Sequence, residues 1–319
     1  MRLMVVDSVK IGERMYTRCA RALLVGLLVI GLAVPASLVA AGASAAPLPV
    51  YKVLAPYVYL AQEEKNPPAS AELFIQHSSL KWSHSAPCPS DHQLAAQGQV
   101  NASSLGNGGY KHQKKSGWPG CNDSGTYYRS NERVRPHEIG ARDGMYLDLD
   151  NNRRGVGGTT APAYFEYEPK QFITFWMFYP YNNGPLVQNH EGDWERVSIR
   201  LDTNNRPAKI AYFGHGGHCV KLWSDAPKYN GHPIVFSARG THASYPRVGE
   251  FPTKFTFSDH TSKGPVWQTW AAVYDARTRP WYRYGGAWGE VGESTHTTGP
   301  SGPGAKNPVP GDWSAPGCA

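Results

Sequence analysis

Three short stretches concentrate the side chains that could do chemistry. The first is His190-Glu-Gly-Asp-Trp-Glu-Arg-Val-Ser-Ile199, the second Phe213-Gly-His-Gly-Gly-His218, the third Arg239-Gly-Thr-His242. Each sets a His beside glycine at the end of a short apolar run. Together they offer His190, Asp193, Glu195, His215, His218 and His242. Imidazole and carboxylate groups without a thiol suit Ca, Mg, Mn or Zn, the harder ions if carboxylate and water dominate. A lone His is usually a loop or surface residue, and no pair here matches H-E-x-x-H. Three such ends in one chain favour a shared site. Without a metal, Glu195 and His215 could act as a general acid–base pair, with His242 a further catalytic candidate. A nucleophile is harder to find. There is no G-x-S-x-G elbow, and Ser244 beside His242 reads as structural. Gly155-Val-Gly-Gly158 lacks the third glycine of a dinucleotide loop, and no P-loop occurs, so a nucleotide cofactor is not expected.

The elements that must position these residues read as strands. In the first stretch Val197, Ile199 and Leu201 share one face, and Arg196, Ser198 and Arg200 share the other. Extended backwards, the apolar face takes in Glu195 and Asp193, which would then point inward. Buried carboxylates are costly unless a cation, a proton or a dense hydrogen-bond set compensates. Trp194 and Arg196 fall on the opposite face, where packing or a surface pair is the expected role. Expected strands are Gln171–Tyr181, aromatic and β-branched, and then Glu195–Asp202, Ala208–Phe213 and Pro233–Ala238. Ser70 caps a short helix from Ala71 to His77, and residues 47 to 61 read as extended. Trp267, Trp270, Ala271 and Tyr274 fit a helix face, with a strand as the other reading. Met145 to Gly155 places Asp148, Asp150 and Asn152 at alternate positions, but lacks the Gly and closing acid of a calcium loop, so a polar turn between strands is expected. Many short strands with Gly/Pro punctuation predict an all-β sandwich with one or two short helices.

Residues 1–45 read as a secretory signal: Arg14, Arg18 and Arg21, an apolar heart from Leu23 to Val34, then Ala43-Ser-Ala45 as the cleavage site. An uncleaved anchor is the other reading, and translation could start at Met1 or Met15. Residues 46–319 then form one β-sandwich domain. Within it, 83–140 is a loop-rich insert and 285–319 an irregular Gly/Pro-rich tail. Cys88, Cys121, Cys219 and Cys318 remain after the signal, an even number that suits an exported, oxidised chain. Of three connectivities, Cys88–Cys121 would tie the insert and Cys219–Cys318 the tail. The chain carries +7, of which residues 1–45 hold five basic and two acidic side chains, leaving +4. That mild excess is no nucleic-acid footprint, though it favours anionic surfaces such as lipid headgroups or cell walls.

The motifs also resemble a known family. Leu54-Ala-Pro-Tyr-Val-Tyr-Leu60, Glu63-Glu-Lys65, Leu73-Phe-Ile-Gln-His-Ser-Ser-Leu80 and Phe178-Tyr-Pro-Tyr-Asn-Asn-Gly184 look like segments of the vacuolar protein sorting-associated protein 62 family. So do His190–Val197, Ala238-Arg-Gly-Thr-His-Ala-Ser-Tyr-Pro246 and Gly299-Pro-Ser-Gly-Pro303. The family name implies a sorting phenotype and no settled chemistry. A weaker similarity links His190-Glu-Gly-Asp-Trp-Glu195 to the G-H-R-H-D-W-E motif of necrosis- and ethylene-inducing peptide-like proteins, which are secreted β-sandwich cytolysins with a divalent metal. By that resemblance Asp193 and Glu195 match metal-associated acids and His215 a later His-Gly-Gly, whereas Gly192 stands where the motif has its second His. Three readings follow. One is a secreted metal-binding protein acting on membrane lipids or cell-surface glycans, as a cytolysin does. Another is a metal-dependent hydrolase of a phosphoester or glycan. The last is a non-catalytic module whose polar cluster ties strand ends together.

Overall fold

A computed structural model describes residues 48–83, 91–113, 127–133, 144–184, 188–316 and 318. The expected signal segment and the Cys88–Cys121 pair lie outside these residues.

The chain is all-β, built in three layers. The middle layer is a six-stranded sheet, in spatial order Gly217–Leu222, Pro207–Gly214, His190–Leu201, Phe172–Asn182, Ala163–Glu168 and Val273–Asp275. On one face lies a five-stranded sheet that includes Tyr57–Tyr59, His232–Ser237 and Val266–Gln268. On the other lies a four-stranded sheet of Ala287–Trp288, Gly144–Leu149, Ser78–Ser83 and His92–Ala95. Side-chain alternation in the two long central strands explains the layering. Ile173, Phe175, Met177 and Tyr179 join Val197, Ile199 and Leu201 in the first core, with Val58, Val235 and Trp267 opposite. Trp176, Phe178 and Trp194 point the other way, into a second core with Leu80, Trp82, Leu147 and Trp288. The aromatic strand extends through Pro180 to Asn182.

Trp194 therefore packs inward. Its ring lies 4.6 Å from Phe178, 5.3 Å from Trp281 and 5.2 Å from Trp288. Arg196 is also on that side, its guanidinium 3.8 Å from the centre of the Phe213 ring. Farther along the strand the tail covers the same face. The Pro308 carbonyl accepts from Thr174 and Ser198, and Lys209 donates to the Trp313 carbonyl. The Cys219–Cys318 disulfide anchors the end of the tail to the sheet edge.

Several sequence expectations need correction. There are three short α-helices among the described residues, Val50–Val53, Ala71–Gln76 and Ala102–Asn107. The first interrupts the stretch expected to be extended. Ser70 caps the second by accepting from the Leu73 amide, as expected. Among the described residues of 83–140, His92–Ala95 extends a sheet and Leu105 is buried in the second core. Residues 266–275 form two short strands around a 3-10 turn, because Trp267 must enter the first core while Tyr274 stays exposed. Finally, the three motif strands are not consecutive, since the hairpin strand Gly217–Leu222 follows Pro207–Gly214.

Gly192 is where the fold and the motif meet. Its φ is +59°, a conformation that costs a side chain energy, and a Cβ there would sit 2.0 Å from the Trp288 carbonyl oxygen. The left-handed turn breaks strand alternation. Glu191 thereby reaches the Leu149 amide of the four-stranded sheet, at 2.9 Å, while Asp193 faces the first core. Gly192→Ala should combine backbone strain with overpacking and cost roughly 3 kcal/mol of stability. Chemical denaturation followed by tryptophan fluorescence measures this; a loss below about 0.5 kcal/mol would contradict the packing described.

Candidate functional site

The motif strand reaches back to His190, so Asp193 and Glu195 do lie on the first-core face. Asp193 is buried and Glu195 half-buried. What compensates Asp193 is His242. Its ring is fully buried and lies flat on Tyr179, centroids 3.9 Å apart. Nδ1 is 2.9 Å from Asp193 Oδ2, and Nε2 is 3.5 Å from Glu64 Oε1. Burial opposes charge on this imidazole, but the hydrogen bond to Asp193 and the nearby charge of Glu64 overcome it and push its pKa up to about 9. Glu64 is held the opposite way. Burial would raise its pKa, yet His242 and the amides of Gly240 and Asn66 hold it at about 2. The unit is a buried carboxylate–imidazolium–carboxylate chain. His242 has a φ of +56°, which lets the turn after Ser237 aim the ring back between the sheets.

His215 stands beside this chain, in the two-residue loop between Pro207–Gly214 and Gly217–Leu222. Nδ1 is 3.0 Å from Asp259 Oδ2. Burial disfavours its charge, but the hydrogen bond to the Asp259 carboxylate overcomes it and pushes its pKa up to about 9. Asp259 also accepts from the Thr241 and Tyr245 hydroxyls, both at 2.6 Å, and its own pKa is lowered against the effect of burial. Glu195 is pushed up, by burial first and then by Asp193, so it tends to keep its proton near neutral pH. His190 is different again. Nδ1–H donates to the Gly192 carbonyl at 2.8 Å and Nε2 accepts from Asn182 Nδ2 at 3.0 Å. Burial lowers its pKa, so this ring stays neutral. His218 is apart from the group, its Nε2–H donating to the Asp312 carbonyl at 2.8 Å.

The six sequence candidates thus divide. Asp193, Glu195, His215 and His242 share one polar cluster, His190 borders it, and His218 secures the tail. The imidazole nitrogens of His190, His215, His218 and His242 that have partners spend them on carboxylates, carbonyls or an amide, so a metal at these residues would have to displace those partners and the protons with them. Among the described residues one other group has close ligand atoms: Asp148, Glu191 and Glu290, within 4.8 Å of one another. Arg154 pairs with Glu191 at 3.0 Å and with Glu290 at 3.5 Å, and Lys81 pairs with Asp148 at 2.5 Å. Burial, then Glu290, pushes Glu191 up to about 7.

Glu64, Tyr179, Tyr245 and Asp259 complete the cluster and are not among the six candidates, although Tyr179 and Tyr245 lie within the segments Phe178–Gly184 and Ala238–Pro246. Glu64 has a faint signal in the Glu63-Glu-Lys65 segment. Asp259 has none, since it sits in an ordinary polar strand, Ser258–Thr261. Two clefts flank the cluster. The larger, about 680 Å³, is lined by Glu64, Thr241 and Asp259 among others. The smaller, about 410 Å³, is lined by His190 and His215 with Arg133, Lys254 and Lys306.

Among curated proteins the chain is similar to Vacuolar protein sorting-associated protein 62 of Saccharomyces cerevisiae. Identity is 29% over 162 residues, covering 36% of this chain and 34% of the relative. It is also similar to the Putative vacuolar protein sorting-associated protein TDA6 of the same yeast, at 26% over 162 residues with the same coverage. The chain spans about a third of the length of the curated relatives it matches. No family model and no solved structure matches it.

The charge chain makes stability depend on pH from both sides. A His242 pKa raised from 6.5 contributes stability that is full below about pH 6.5 and lost as pH rises through about 9. A Glu64 pKa lowered from 4.5 contributes stability present above about pH 4.5 and lost as pH falls through about 2. His242→Gln strands two buried carboxylates, so it should cost roughly 3 kcal/mol near pH 6 and much less near pH 10. Denaturant titrations of both proteins across this range give the difference; a cost that does not vary with pH would show that His242 is not held as a cation.

Proposed function

We propose that this chain is an exported, surface-acting protein that grips anionic headgroups of membrane lipids or anionic cell-surface glycans in the smaller cleft. The charge of that cleft carries the reading. Arg133, Lys254, Lys306 and His215 line it, and no carboxylate stands among its described lining residues. The mild positive excess of the chain favours the same surfaces. Export is supported by the Cys219–Cys318 disulfide, since such bonds persist in oxidising compartments. No helix among the described residues is long and apolar enough to cross a membrane. Lysis of the bound membrane is the sharper form of the proposal, suggested by the resemblance to secreted cytolysins. The similarity to the two yeast proteins covers too little of either chain to bring an activity with it.

A divalent ion enters this proposal at the three carboxylates Asp148, Glu191 and Glu290, not at the imidazoles. All-oxygen donors suit Ca or Mg. The bound ion would supply the positive charge that Arg154 and Lys81 now provide there. Headgroup binding does not pass through it.

Hydrolysis of a phosphoester is the second reading, favoured by Glu195. A carboxyl that keeps its proton beside a cationic imidazole is suited to protonate a leaving oxygen as a general acid. His242 is fully buried and touches no substrate, so its role is to position Asp193.

Two measurements test these readings. Phosphatidylcholine vesicles doped with an anionic lipid should co-sediment the protein. Lys306→Glu should weaken binding at least roughly tenfold, and so should salt raised to about 1 M, where screening acts within about 3 Å. No binding to anionic vesicles or to anionic cell-wall glycans would reject the proposal and favour a cluster that only ties strands together. For the ion, Ca or Mg should raise the melting temperature by a few degrees in wild type and not in Glu290→Gln. Equal melting curves with added ion and with chelator would remove the ion from the account.

A further inference from the structure

The geometry points to a strap that a small thiol can open: the tail from Asn307 to Pro316 is a removable cover on the central sheet, and the Cys219–Cys318 disulfide is its catch. This goes beyond the headgroup reading above and does not rest on it.

The tail is laid on the sheet, not built into it. No helix or strand forms in residues 307–316, and Pro310 is the one buried residue among them. Every hydrogen bond between this run and the other described residues is accepted by a tail carbonyl. Pro308 accepts from Thr174 at 2.9 Å and Ser198 at 2.6 Å, and Asp312 from His218 at 2.8 Å. Trp313 accepts from Lys209 at 3.1 Å, and Pro316 from the Val220 amide at 3.3 Å. Fixing one residue costs at least as much as one net hydrogen bond returns, so these bonds and one buried proline do not hold the run in place by themselves. The covalent tie at Cys318 supplies the rest.

The catch is within reach of a reagent. Neither cysteine is fully buried, and both line a cavity of about 250 Å³ together with Tyr212, Gly216 and Gly217. Thiol–disulfide exchange needs a thiolate to reach one of the sulfurs, and its rate follows access. One thiolate of a small dithiol attacks a cysteine sulfur, forming a mixed disulfide and releasing the other cysteine, which takes up a proton. The second thiol of the reagent then displaces the remaining cysteine. Two cysteine thiols and one oxidised reagent result, so two electrons pass to the protein.

Opening has a defined result. The hydroxyls of Thr174 and Ser198, both fully buried under the strap, lose their Pro308 acceptor and meet water, and so does the Val220 amide. The sheet keeps its first core, because Ile173, Phe175, Val197 and Ile199 face the other side. The strap is closed where disulfides persist and open in a thiol-rich compartment.

The test treats the full folded chain with dithiothreitol, alkylates it, and assigns each modified cysteine by mass spectrometry, which separates Cys219 and Cys318 from Cys88 and Cys121. Cys219 and Cys318 should both be labelled while tryptophan fluorescence stays native. Labelling of this pair only in denaturant overturns the proposal, because the disulfide is then a staple closed to thiols. In the labelled, folded protein the Val220 amide should exchange with solvent at least roughly tenfold faster, with the Ile199 amide unchanged. An unchanged Val220 rate after labelling also overturns it, since the strap then stays down without its catch. Replacing both cysteines, Cys219→Ser with Cys318→Ser, should give the fast Val220 rate with no reagent present and no further change when dithiothreitol is added. If that variant does not fold, the reduced and alkylated wild type supplies the same reading.

Discussion

The hydrogen bond between His242 and Asp193 is the constraint around which the molecule is arranged. It joins the five-stranded sheet to the central one through a charged pair with no exposure on the imidazole. A cation there survives because carboxylates flank it on both sides and Tyr179 covers its face. Each partner comes from a distant part of the chain: Glu64 follows the first strand, Asp193 lies in the motif strand, and His242 follows Ser237. Removing His242 leaves two buried carboxylates uncompensated, which is the expensive outcome, while the intact set holds the strand ends in one register.

The position of Asp193 is in turn fixed by the opposite core. Trp194, one residue on, is locked among Phe178, Trp281 and Trp288, so the strand cannot slip by one residue without moving an indole to the wrong face. Gly192 lets Glu191 and Asp193 part company at this point. One carboxylate goes to the four-stranded sheet and the other to the His242 chain. The sequence H-E-G-D-W-E thus reads as alternate assignments to two cores, with a glycine turn between them.

Parity makes the inward direction of Asp193 and Glu195 legible in the amino-acid sequence, because a strand of regular apolar alternation can be extended backwards. The aromatic run 171–181 is equally plain as a buried central strand. A third layer is not. Two-sided burial looks the same as one-sided burial when the second face is filled by Trp and Tyr scattered over more than a hundred residues. The partners of the histidines are hidden for a related reason. Glu64 and Asp259 are ordinary acids in ordinary contexts, and only the packing of separate hairpins brings them to His242 and His215. His218 shows the converse error: glycine and His beside a strand end also describe a tight hairpin, and there the ring turns outward to the tail.

The same residue types that suggest a metal also make good ion pairs, and geometry decides between them. A metal wants lone pairs aimed at one point; here the imidazoles of His215 and His242 aim hydrogens at separate carboxylates, Asp259 and Asp193. These two pairs run between the flanking clefts. Glu64 and Asp259 face the larger one, while His215 faces the smaller, where lysine and arginine side chains join it. His215, held by Asp259 on its inner side, is the member of this group that reaches the wall of the smaller cleft. Lys306 reaches the same cleft from the tail that the Cys219–Cys318 disulfide holds to the sheet, and its ammonium donates to the Trp194 carbonyl. The groups kept charged between the sheets therefore both hold the polar core together and set the charge on the wall of the smaller cleft.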